Sequence, residues 1–330
     1  MNVGEVFYKD TTIRDITSKN YLNQLCIIYN LITGEKISSV NKISGEKLAN
    51  LLIDNKILLK TIFSNKYKSS SIRTKVVTIK AFLTRVLPEK SPKLKVYNTW
   101  FKELTIDLEK KQSAGMKSAT EKKQWTNMDD LIKIRNNMDK KITSEKLWSN
   151  NKLKKTQFDL LRDMIIISIH TLLQNPRRNI WRTINILDIK TFNKFKKTSV
   201  LKDNYLIYNA DPMYLYLTKQ KNGKIQEIQL RSINNTNIVE NLILKYISKF
   251  NIKTNTFLFT NYKKLPISQV NYTRILKRHL GVGSSMIRKI YKTENTNIDD
   301  INVYNKLKNQ AIGMGHSIST GFNYYVKNDL

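Results

Sequence analysis

The chain has 330 residues, 40% of them hydrophobic, and carries 58 Lys and Arg against 26 Asp and Glu, for a formal net charge of +32. That length holds two domains with cores of their own, so the charge sits on a folded scaffold and selects a polyanion as partner. No apolar run reaches the roughly 20 residues of a membrane-spanning helix, and the single Cys26 excludes an intramolecular disulfide or a cysteine-based zinc site.

No secretory signal pattern opens the chain, so an intracellular protein in a reducing compartment is expected. Residues 1 to about 40 show no clear periodicity and are expected to be partly loose. In SSSIRTKVVTIKAFLTRVL, Ile72, Val76, Ile79, Leu83 and Val86 recur at helical spacing. Arg73, Lys75, Lys80 and Arg85 take the other faces of that helix, either as solvated surface or facing phosphates. With Leu48, Leu51 and Leu52 before it and Trp100 and Phe101 after, a small helical domain is expected, closing a first domain at residues 1–108. The stretch EKKQSAGMKSATEKKQW is polar and lysine-rich and reads as a basic linker over 109–124.

A second domain is expected over 125–330. Thr126 or Asn127 is placed to cap a helix ahead of Leu131. In KTQFDLLRDMIIISIHTLLQNP, Phe158, Leu161, Ile165, Ile169 and Leu172 follow a three-four repeat that stops at Pro176, which makes His170 a structural residue of a buried helix. Residues 204–230 change period: two apolar runs, an Asn222-Gly223 turn signal and a third strand predict a small antiparallel sheet. Helix returns in NIVENLILKYISKF, where Val239, Leu242, Ile243, Tyr246, Ile247 and Phe250 share a face. The fold class is therefore mainly α with a small antiparallel β-sheet.

Four further stretches carry chemistry. NPRRNIWRTINILDI sets Arg177 and Arg178 after a helix break, the hairpin carries Lys219 and Lys221, GSSMIRKIY sets Arg288 in an apolar helix, and MGHSISTGFNYY sets His316 ahead of Tyr324 and Tyr325. Each alone is more often structural or solvated. Taken in order, from residue 120 to 330, they resemble the tyrosine recombinase (phage integrase) family, and the helical domain and basic linker before them resemble that family's core-binding domain. PRRN followed by LDI, together with MGHSISTGFNYY, is most similar to the integrase-type recombinases of large DNA viruses and their satellites.

That resemblance implies a site-specific recombinase that cleaves and rejoins double-stranded DNA through a 3′-phosphotyrosyl intermediate, with no cofactor and no metal, working as a synaptic tetramer on DNA. It makes Tyr325 the nucleophile, Arg177 and Arg288 the clamp on the scissile phosphate, His316 a hydrogen-bond donor to a non-bridging oxygen and Lys221 the general acid. Arg178, Lys219, Ser285 and Tyr324 are the alternates or additions. The resemblance favours Arg177 over Arg178, because Asp188, eleven residues on, is expected to begin a strand at the spacing the family usually shows. The chemistry suits these residue types: tyrosine conserves the bond energy as a phosphate ester, and arginine presents a planar, permanently charged fork to phosphate oxygens.

Two positions depart from the family pattern. Ser285 stands three residues before Arg288 where His or Lys is usual, and Ile180 stands where many members carry an acidic residue. The alternatives are a type IB topoisomerase, which shares the fold and the chemistry, and a non-catalytic DNA-binding protein with a decayed site. A metal-dependent nuclease is disfavoured, because the pairs Asp129-Asp130 and Asp299-Asp300 have no convincing third ligand.

Overall fold

The structure is a computed structural model that describes residues 1–10, 14–89, 91–113, 117–177, 179–198, 201–219, 224–297, 299, 302–304 and 306–307. The chain divides into two compact units, Met1–Lys117 and Ser118–Leu330. Among the described residues no helix is long and apolar enough to cross a membrane.

The first unit is wholly helical: α1 (Val3–Tyr8), α2 (Asp15–Thr33), α3 (Gly45–Asp54), α4 (Lys56–Lys66), α5 (Ser69–Val86) and α6 (Pro92–Ser113). The opening stretch expected to be loose thus forms two helices. Asn2 closes a capping box with Glu5 at the start of α1, and α2 stops at Gly34, whose φ of 76° suits a residue without a Cβ. Leu22, Leu25, Cys26, Ile28 and Tyr29 bury one side of α2. The expected α5 stripe packs as its spacing implies, with Ile72, Val76, Ile79 and Leu83 buried against Phe7, Phe63 and Trp100.

Of the basic residues of α5, Lys75 is buried and Arg73, Lys80 and Arg85 are partly exposed. Lys75 is 5% exposed, donates to Gln24 Oε1 at 2.9 Å and lies over the Tyr67 ring, and burial with the Lys66 charge lowers its pKa. Arg85 pairs with Asp10 at 2.7 Å, while Arg73 and Lys80 lie over the Phe101 ring. Helix α6 continues past residue 108 into the stretch expected as linker.

The second unit begins with α7 (Ala119–Gln124), set by a Ser118–Glu121 capping box, and α8 (Met128–Ser144), capped by Asn127, whose side chain accepts from Asp130 N at 2.7 Å. Helix α9 (Lys155–Leu172) is the central beam: all twelve residues from Leu161 to Leu172 are buried. It packs on α8 and on α11 (Ile238–Phe250). His170 is fully enclosed there, with Nε2 on the Tyr272 hydroxyl at 3.1 Å, and burial pushes its pKa down to about 4.

The sheet runs β1 (Asn185–Asp188), β2 (Tyr205–Tyr208), β3 (Tyr214–Leu217) and β4 (Gln226–Gln229), in that spatial order. The strands expected over 204–230, β2 to β4, pair antiparallel, and the sheet is mixed because β1 adds in parallel to β2, with α10 (Ile189–Lys197) filling the crossover between them. Asp188 accordingly ends a strand instead of beginning one, and its carboxylate caps α10 by accepting from Thr191 N at 2.9 Å. The two faces of the sheet serve different cores. Ile186, Leu206, Leu215 and Leu217 enter the main core with α9 and α11, whereas Leu187, Tyr205, Ile207 and Tyr216 hold Phe192 of α10. Helices α12 (Gln269–Leu280) and α13 (Ser284–Glu294) follow.

Candidate active site

Arg177 is placed by the way the chain leaves α9. Leu173 and Gln174 run antiparallel to the residues after β4: Gln174 N donates to Arg231 O at 2.8 Å, Gln174 Nε2 donates to Ser232 O at 3.3 Å, and Leu173 bridges to Ser232. Asn175 then takes a left-handed φ of 57°, Pro176 is buried, and Arg177 follows. Beyond it a 3-10 turn, Asn179–Thr183, anchors the segment through Trp181, which is 1% exposed, and through Asn179, which donates to Thr273 of α12 at 3.3 Å. Arg177 is thereby held on both sides by buried neighbours.

Arg288 comes from α13, which is fixed by buried Ser284, Ile287 and Ile290. Lys289 bonds Glu121, and the Glu294 carboxylate accepts from Met128 N at 3.2 Å, so α13 is tied to α7 and to the start of α8. The Lys289 and Ser118 hydrogen bonds hold the Glu121 carboxyl down at about 2. Ser285 is exposed on the first turn of α13, one helical turn before the half-buried Arg288 and on the same side.

Arg177 and Arg288, 111 positions apart in the chain, are brought near enough for their charges to interact. Burial lowers the pKa of Arg177, and the Arg288 charge lowers it further, which places the guanidinium groups within electrostatic reach of each other. Among the described residues neither has a carboxylate or carbonyl partner. Elsewhere this unit neutralises its buried cations: Arg162 pairs with Asp159 at 2.6 Å and with Asp163 at 2.7 Å. Asp163, 1% exposed, also takes Arg278 and His279. Burial pushes its carboxyl up, and the His279 and Arg162 contacts outweigh that and hold it below the usual range. Two half-buried like charges with no acidic partner among the described residues suit an anion chemically.

Lys219 lies apart from this pair. Its Nζ is bonded to Asp203 and its backbone N donates to Asn204 at 2.9 Å. The ladder register, Tyr214 with Gln229 and Leu217 with Gln226, puts Lys219 at the opposite end of the β3–β4 pair from Arg231. Arg178, Lys221, His316, Tyr324 and Tyr325 lie outside the described residues. Among the described residues no group of three or more His, Cys, Asp or Glu side chains is arranged to hold a metal ion.

No protein-family model matches the chain, and no curated protein matches it. Among solved structures it is similar to the crystal structure of XerA recombinase, at 12% identity over 99% of this chain and 94% of that chain, with a TM-score of 0.30. An overlap that slight carries no argument about function.

Proposed function

We propose that the chain cleaves and rejoins double-stranded DNA as a tyrosine recombinase. The observation that carries this reading is that Arg177 and Arg288, both half-buried, lie within electrostatic reach of each other without an acidic partner among the described residues. A scissile phosphate supplies the negative charge the pair lacks, and two planar forks suit its non-bridging oxygens. The Tyr325 phenolic oxygen attacks phosphorus, a P–O bond to tyrosine forms, and the bond to the 5′ oxygen breaks. Lys221 gives the leaving 5′ oxygen its proton. Ser285 is no base near neutral pH, so His316 receives the phenol proton. The reverse attack by a 5′ hydroxyl reseals the strand without ATP. The PRRN and MGHSISTGFNYY stretches favour an integrase of a large DNA virus or its satellite, acting as a tetramer on DNA.

A second reading, DNA binding without cleavage, draws on Ser285, which exposes a hydroxyl beside Arg288 where a base or acid is expected. One experiment separates the two. The protein is incubated, in chelator, with a randomised library of nicked duplexes that trap a covalent adduct. An adduct lost in Arg177→Ala and in Arg288→Ala, with most of the DNA affinity kept, supports cleavage. Losing one preorganised donor costs about 3 kcal/mol in the transition state, whereas binding is spread over many phosphates. No adduct from the parent, with one created by Ser285→His, supports the second reading.

A further inference from the structure

Arg177 has another arginine beside it. Arg231 follows β4 in the chain, and Arg177 and Arg231 line one cavity of about 90 Å³. Trp181, Leu215 and Leu230 form apolar parts of its wall, and its other polar lining residues are Gln174, Asn175 and Gln229. Among the described residues no acidic side chain lines it. The space is well above the roughly 10–15 Å³ that one water requires, so a small oxyanion fits. Arg231, exposed at the rim, donates from Nη2 to Gln229 Oε1 at 3.0 Å, a neutral acceptor. Its backbone is not free to drift, because its own carbonyl takes the Gln174 amide that leads into Arg177.

We infer that Arg231 is a third arginine of the anion site, binding the same phosphate group as Arg177 from the β4 side of the cavity. This rests on the phosphate-binding reading of Arg177 and Arg288. The pairing of residues 173–174 with 231–232 gives the reason the two side chains stay in register: one backbone ladder positions both. A phosphate entering the cavity then meets arginines from the α9 exit and the β4 exit, with Arg288 of α13 acting on Arg177.

The test is differential labelling of the full chain by phenylglyoxal, read by mass spectrometry at each arginine as inorganic phosphate is titrated. Arg177 and Arg231 are expected to become protected together at one midpoint concentration, while Arg274, exposed on α12, stays reactive throughout. In Arg231→Gln the phosphate midpoint for protecting Arg177 should rise about ten-fold, with Arg231→Lys in between. Protection of Arg177 and Arg288 with Arg231 labelled at an unchanged rate overturns the inference and leaves the phosphate reading intact. Protection of none of the three overturns both.

Discussion

Replacing Arg177 with methionine should make the isolated protein more stable while removing its function. The methionine keeps an unbranched stem against the cavity walls and deletes a half-buried cation that burial and Arg288 both disfavour. Two unit charges 4 Å apart repel by about 4 kcal/mol at an effective dielectric of 20 and by about 1 kcal/mol in water. Arg177 is only half-buried, so solvent screening brings the removable repulsion down to the order of 1 kcal/mol. For a unit of Ser118–Leu330 that is a rise of about 2–4 °C in the melting temperature. The assay is thermal unfolding followed by circular dichroism in dilute and in about 1 M sodium chloride, where the Debye length falls from about 10 Å at 0.1 M to 3 Å and the gain should shrink. Adding inorganic phosphate should stabilise the parent and leave the variant unmoved, since only a state that binds the anion gains from it. A melting temperature that falls in Arg177→Met, by the amount a structural ion pair would cost, refutes the idea that the two arginines await an anion.

Three other outcomes follow from the same structure. His170 is held near pKa 4 against 6.5 for an ordinary imidazole, so only the unfolded chain takes up its proton between those values, and stability should fall by about 1.4 kcal/mol per pH unit from pH 6.5 down to about 4. The double variant His170→Phe with Tyr272→Phe should flatten that limb in urea titrations. Asp163→Asn should cost about 3 kcal/mol or more in the same titrations, because it strips the buried carboxylate from Arg162, Arg278 and His279. Affinity for duplex DNA, measured by fluorescence anisotropy, should drop by about 10³ between 50 and 200 mM salt if six or more phosphates are neutralised, and a flat salt profile would count against a backbone-dominated interface.

Helices with a strong apolar period were legible before any coordinates: α5, α9 and α11 bury Val76, Ile165 and Ile243 as their spacing requires. Helix α2 was missed although Leu22, Leu25, Cys26 and Tyr29 carry the same period, because the intervening polar residues dilute it. Helix α10 was missed for a different reason. Its anchor, Phe192, packs on tyrosines from β3, a tertiary contact that no local pattern announces. That omission also hid the parallel β1–β2 pair. In the site, Arg177 and Arg288 could be named from their motifs, but their missing counterion could not, since it depends on which carboxylates the fold sends elsewhere, as it sends Asp163 to Arg162. Arg231 had no signal in sequence at all. Its role comes from a backbone ladder joining residues 173–174 to 231–232.

The most direct measurement is the identity of the residue that carries DNA after trapping on nicked duplexes in chelator. Digestion of the adduct with protease and nuclease, followed by mass spectrometry, should find a nucleotide on Tyr325 in the parent and none in Tyr325→Phe or Arg177→Ala. A nucleotide on Tyr324 would move the nucleophile by one residue. An adduct that forms only with added magnesium, or one that persists unchanged in both Arg177→Ala and Arg288→Ala, would contradict a phosphate held by the arginine pair and attacked by tyrosine.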